Sequence, residues 1–358
     1  MCKVYNPIGS LTTIKSHLHE HNVNEYKSLN DLINFQKNYS AARQQIISNH
    51  KLLVEQEKNA LNYEIVQLEH SIKTKKSEVE QQLLLELEKL NQQLDNLSSA
   101  HSNIIQTLIN YVKKTVLKLK VRNNKLTFDF KIAHSLKYIT ENYNIKSNRH
   151  QYIVSCLEDA VMESGLPQLQ ELDRKKRIID QINSSIYGAL GEQKVVSELE
   201  KLPDDYVLIN DFTCRFNPPI YNRQENDYIK SIQIDHILVS PSGIFLIETK
   251  NWSQRSLNDT SLHSPVRQIK RTNFALYKIL NGEIPIAKLI LNNHHWGDRK
   301  IPIRNLIVLI NHKPIEEFQY VKILTLNDLL SYVNYFKPCL STKETQMIAN
   351  YLLTFIGK

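Results

Sequence analysis

The chain has 358 residues, of which 41% are hydrophobic and 23% charged, a globular balance with room for about two domains that excludes a disordered chain. The formal charge of +8 is compatible with a polyanionic partner without requiring one. Four scattered cysteines (Cys2, Cys156, Cys214, Cys339) form no CxxC pair, which excludes a zinc ribbon and a disulfide framework, and no apolar run reaches the roughly 18 residues that span a bilayer; the expectation is a soluble cytoplasmic protein with no membrane partner.

Residues 1–28 read as a polar, weakly patterned segment. Residues 29–120 read as helical coiled coil. Leu61, Ile65, Leu68 and Ile72 step by four, three and four. Leu83, Leu87, Leu90, Leu94, Leu97, His101, Ile104 and Leu108 continue in the same way, a 3.5-residue period that supercoils helices left-handedly. The seam breaks at Lys75 and resumes from Val79 through a stutter. The pattern predicts either a dimerisation arm or a hairpin folded back on its own chain. Residues 121–167 read as a connector, with a short strand at Lys125–Phe130, helices near 131–142 and 147–163, and a boundary at Gly165 and Pro167. A long helix is expected from Gln168 to Leu202.

After Pro203 short β-rich runs appear, at Tyr206–Phe212, Ile232–Ser240 and Gly243–Lys250, with a loop or irregular hairpin containing Pro218 and Pro219 at 213–231. A helix should begin near Pro265, strands recur at 286–291 and 303–310, and helices close the chain near 325–335 and 342–356. Residues 168–358 thus read as an α/β domain.

The chemistry concentrates on one predicted hairpin. Gly243–Ile247 is apolar on both faces, as in a buried central strand. It ends in Glu248-Thr249-Lys250, where Glu248 and Lys250 share a side. The turn Ser240-Pro241-Ser242-Gly243 sets Asp235 opposite Glu248 if Ser240 faces Gly243. Two carboxylates about 4 Å apart repel by roughly 4 kcal/mol at an effective dielectric near 20. A divalent cation such as Mg²⁺ removes that cost, and the lysine could orient an attacking water. A structural salt bridge at a strand end fits the three residues equally well. Glu192 adds weight to the first reading, because it shares a helix face with Ala189, Val196 and Leu199. Gly188 and Gly191 would let that helix approach the sheet; the competing reading is a helix start there, with Glu192 as a first-turn acid.

The blocks Gly188-Ala189-Leu190-Gly191-Glu192, Ile234-Asp235-His236-Ile237-Leu238-Val239 and Gly243 to Trp252, followed by Pro265-Val266-Arg267-Gln268, resemble the NERD (nuclease-related domain) family. Its members are similar to the PD-(D/E)XK restriction-endonuclease superfamily and occur mainly in bacteria. The resemblance spans about residues 186–282. It implies a restriction-endonuclease-like α/β domain cleaving DNA with Mg²⁺ or Mn²⁺. Asp235 and Glu248 would be metal ligands, Glu192 would complete or support them, Lys250 would be the catalytic lysine and Gln268 a supporting residue. It also implies a role in defence against foreign DNA or in DNA processing. Ser253-Gln254-Arg255 departs from the glycine the family commonly has there.

Arg267, Lys270 and Arg271 are candidate phosphate contacts, extended by Arg299, Lys300 and Arg304. Trp252 and Tyr228 could stack on bases. A loop at His294-His295-Trp296-Gly297-Asp298 holds possible metal ligands without a partner element. A homodimer through the coiled coil is expected, with room for a protein partner. The alternatives are a DNA-binding module that does not cleave and a coiled-coil scaffold.

Overall fold

The computed structural model describes residues 1–98, 104–252, 262–280, 300–311 and 316–356. In chain order the elements are β1 (Lys3–Tyr5), α1 (Gly9–Glu20), α2 (Leu29–Ser98), α3 (Ile104–Leu126), α4 (Phe128–Ser155), α5 (Leu157–Gln181) and α6 (Asn183–Leu199). There follow β2 (Val207–Asn222), β3 (Asp227–Ser240), β4 (Gly243–Lys250), α7 (His263–Leu280), β5 (Ile303–Leu309), β6 (Lys322–Thr325), α8 (Leu329–Asn334) and α9 (Thr342–Leu353). They divide into two compact units, Asn38–Asp173 and Met1–Lys37 with Arg174–Lys358. The expected strand at 286–291 lies outside the described residues.

In the helical unit the seam of α2 is used within the chain. Leu61, Ile65, Leu68, Ile72, Leu83, Leu87, Leu90, Leu94 and Leu97 are all half-buried, whereas Lys75 is exposed. The partners are α3 and α4, running the other way. Arg149 grips Glu57 with Nε at 2.8 Å and Nη2 at 3.1 Å, Lys146 reaches Glu64 at 2.5 Å, Tyr143 reaches Glu69 at 3.0 Å and Asn124 reaches Glu86 at 3.2 Å. One number climbs as the other falls, the signature of an antiparallel pair.

Lys125–Phe130 is not a strand. Asn124, Phe128, Ile132 and Leu136 recur every four residues on the covered side, so a helical stripe runs through the junction at Thr127. A lone strand there would have no sheet to join. Gly165 and Pro167 also lie inside a helix, α5. The buried Val161, Gly165 and Leu169, four apart, hold it to the unit, and an added Cβ on Gly165 would sit 3.2 Å from the ring of His50. The helix expected from 168 to 202 instead breaks at Ile182, between α5 and α6.

In the other unit the described strands form one sheet in sequence order, β1 to β6. β2, β3 and β4 are antiparallel neighbours; β1 lies parallel to β2, and β5 and β6 continue parallel beyond β4. Alternation along the strands sends side chains to two faces. Ile237, Val239, Ile244 and Leu246 pack under α7 and α9, with Ile269, Leu276, Ile348 and Leu352. Leu238, Phe245 and Ile247 pack under α6 and α8, with Val195, Leu199, Leu329 and Val333. The stretch 213–231 is an irregular hairpin rather than a loop: it is paired, with a register shift between Arg215 and Ile220, where Pro218 and Pro219 interrupt the ladder.

The polar segment 1–28 is part of this unit. β1 extends the sheet, and α1 buries Ile14 and Leu18 against Ile182, Ile186 and Ala189.

Candidate active site

Ser240 faces Gly243 and His236 faces Ile247, so the turn introduces no slip. Gly243 takes φ +120°, and an added Cβ would meet the Pro302 carbonyl oxygen at 2.5 Å, so a side chain is excluded twice over. One step beyond the last ladder pair, this register sets Asp235 against Glu248. Asp235 Oδ2 accepts the Thr249 backbone N–H at 2.7 Å, which ties the two strand ends together through the carboxylate. Glu248 is 2% exposed. Its Oε1 accepts from Lys250 Nζ at 2.7 Å and its Oε2 from Gln268 Nε2, on α7, at 3.4 Å.

Burial, and then the Glu248 carboxylate, push the Asp235 carboxyl well above the usual range, with Lys250 opposing them. Burial alone would push the Lys250 ammonium down, but Glu248 and Asp235 outweigh it and hold the group above its ordinary value. Lys250 is thus a retained cation beside two crowded carboxylates.

Glu192 reaches this end of the sheet from α6. Gly191 is the reason the helix lies so close: an added Cβ would fall 2.8 Å from Asn251 Cβ and 3.3 Å from Thr249 Cγ2. Burial raises the Glu192 carboxyl, with Asp211 and Glu248 adding to it. The counterweight is Ser10, near the start of α1, whose hydroxyl donates to Glu192 Oε1 at 2.5 Å. Ser10→Ala is expected to lower the unfolding free energy by about 2 kcal/mol at neutral pH, because a buried carboxylate loses a charge-assisted donor. The sign follows from linkage. Loss of Ser10 raises an already elevated folded pKa, so the penalty is full above that pKa and vanishes below the unfolded value. Urea unfolding near neutrality and near pH ~4 checks this; equal losses at both would mean that Ser10 acts by packing alone.

Asp235, Glu248, Lys250 and Gln268 are therefore brought together, with Glu192 beside them. Arg267 and Lys270 are exposed on α7. Arg271 instead pairs with Asp227 at 3.1 Å and donates to the Tyr228 carbonyl at 3.5 Å, bracing the β2–β3 hairpin. Arg304 does not extend this edge. It pairs with Phe245 at the far end of β4, stacks 3.8 Å over Phe336 and donates to the Ser242 carbonyl. Trp252 packs on the core, and Tyr228 lies 4.9 Å from Tyr221. Arg299, Ser253-Gln254-Arg255 and the His294–Asp298 loop lie outside the described residues.

Other groups at the site were missed from sequence. Asp211 lies between the pairs Asn210–His236 and Phe212–Ile234, level with Asp235 on the neighbouring strand, and accepts from Gln233 at 3.0 Å. His236, fully buried, bonds Asn210 at 2.8 Å, and burial pushes it down to about 3. It is a neutral structural group rather than an acid or base. Ser10 lies 182 positions from Glu192, a distance no local pattern spans.

Among the described residues no three His, Cys, Asp or Glu side chains converge as a ready-made cation cage. Asp235 and Glu248 still fit a hard divalent ion, since Mg²⁺ characteristically takes one or two carboxylates and completes its shell with water and phosphate oxygens.

Residues 187–310 match the family model described as NERD, nuclease-related domain. The matched segment runs from α6 through β5 and so holds Glu192, Asp235, Glu248, Lys250 and Gln268, while Ser10 comes from outside it. No curated protein and no solved structure matches the chain.

Proposed function

We propose that this unit hydrolyses phosphodiester bonds in DNA as a divalent-metal-dependent endonuclease of the restriction-endonuclease type, acting in defence against foreign DNA or in DNA processing. The observation that carries the reading is the register that sets Asp235 against Glu248 with the Lys250 ammonium in contact. Asp235 and Glu248 would hold Mg²⁺ or Mn²⁺, with Glu192 supporting them. The ion, when bound, would neutralise the two carboxylates and polarise a phosphate oxygen. Lys250 would orient the attacking water or meet the developing negative charge, and Gln268 would hold Glu248 in place. Arg267 and Lys270 are free of acid partners among the described residues and suit phosphate contacts. The free thiols of all four cysteines suit a reducing compartment such as the cytoplasm.

A second reading, DNA binding without cleavage, draws on one observation: both Glu248 oxygens already have protein donors. Supercoiled plasmid incubated with Mg²⁺, Mn²⁺ or EDTA separates the two. Cleavage is expected from the wild type with metal and not from Glu248→Gln. Plasmid retention by a folded wild type without any strand breakage would favour the binding module.

A further inference from the structure

The helical unit carries a surface that the chemistry of the other unit does not use. α3 holds Lys113, Lys114, Lys118, Lys120, Arg122 and Lys125 and not one Asp or Glu. Its half-buried residues, Asn110, Lys114, Leu117, Val121 and Asn124, step by four and three and form the face turned to α2. The opposite face is apolar. Leu108, Val112, Leu119 and Leu126 recur at four and seven residues and are 65%, 61%, 60% and 74% exposed. Lys113 and Lys120 run along one edge of that stripe, Lys118 and Lys125 along the other, each pair seven apart on the same helical wheel. None of the six cations pairs with a carboxylate among the described residues.

Charge and apolarity together select the occupant. A second copy meeting α3 with its own α3 would bring the lysine edges against each other. The acidic partner surface, α2 with Glu78, Glu80, Glu86, Glu88 and Asp95, exposes between residues 77 and 97 only Leu84 and Leu85 among large apolar side chains, so it lacks a matching stripe. A nucleic acid backbone answers the lysines but leaves the exposed leucines in water. An anionic bilayer answers both: its headgroups meet the flanking lysines, whose stems let the charge stay in the polar layer while the stripe enters the acyl boundary. No described helix is long and apolar enough to cross a membrane, yet a helix of this pattern can lie on one. We infer that α3 is an interfacial helix that docks the helical unit on an anionic phospholipid surface.

Flotation of the full chain with vesicles tests this, comparing phosphatidylcholine alone with phosphatidylcholine containing phosphatidylglycerol. Binding is expected to the mixed vesicles, at least about tenfold weaker to phosphatidylcholine alone. It should be lost in Leu119→Asp, and in Val112→Asn as a second, milder variant, and weakened by salt or by Lys118→Gln with Lys120→Gln. Circular dichroism matched to the wild type establishes that each variant is folded. Three results overturn the inference: no flotation with anionic vesicles, flotation indifferent to Leu119→Asp and Val112→Asn, or no vesicle binding while these variants change the oligomeric mass or the lysine variant loses DNA.

Discussion

Asp235→Asn should stabilise the protein and abolish cleavage in the same variant. The wild-type carboxyl is pushed well above its ordinary range by burial and by Glu248. A raised folded pKa means that the folded state binds the proton more tightly than the unfolded state. Stability therefore falls as pH rises from the unfolded value through the folded one, and the whole cost is present only above the folded value. Asparagine has no charge to lose, and its carbonyl can still accept the Thr249 N–H that Asp235 accepts at 2.7 Å. A gain of about 1 kcal/mol at neutral pH is expected, with Tm up by about 2–4 °C and a flatter dependence of Tm on pH. Differential scanning calorimetry across the acid-to-neutral range measures both. A residue retained at a cost to stability and needed for turnover belongs to chemistry rather than to the fold. A clear loss of stability would reverse that conclusion and make the carboxylate a structural partner at a strand end.

Lys250→Ala should be the most damaging change at the site, and the one most sensitive to added cations. Lys250 is the cation in contact with Glu248, and it also opposes the charge on Asp235. Its removal leaves two facing carboxylates without a compensating charge, a loss of about 3 kcal/mol at neutral pH for a broken buried pair. Acid should restore much of it, because the Asp235 carboxyl, already raised by burial, takes up a proton. Lys250 itself, held above its ordinary value, does not titrate in that window. Mn²⁺ should restore stability as well, by mass action on the folded state, and should raise Tm more in this variant than in the wild type, whose ammonium already occupies Glu248 Oε1. Thermal unfolding with and without Mn²⁺ reads this without any nuclease assay. If Mn²⁺ moves neither protein, Asp235 and Glu248 do not hold a cation.

Much of the site was legible because its parts are local. Asp235, the turn and Glu248-Thr249-Lys250 lie within one hairpin, where strand alternation and the Ser240–Gly243 turn fix which side chains meet. The α7 helix was legible from Pro265 and its apolar spacing, and Gln268 sits where that helix crosses the site. The connector misled because Gly165 and Pro167 are breakers only on average. The stripe on α4 and the contact of Gly165 with His50 outweighed those local preferences.

The heptad seam of α2 and the doubly apolar strand that ends in Glu248 and Lys250 are both written in the local order of residues. Periodicity and covalent neighbourhood suffice for both. Where the seam finds its partner shows only in the folded chain, since a heptad pattern serves a second chain and a returning helix equally well; the pairs from Arg149–Glu57 to Asn124–Glu86 show the returning helices. Only the fold drew α1 to the site. Ser10 meets Glu192 because β1 pairs with β2 and α1 buries Ile14 and Leu18 beside α6. Hydrophobic burial between distant segments is non-directional and leaves no spacing rule in the chain, so such contacts exist only once the fold has closed.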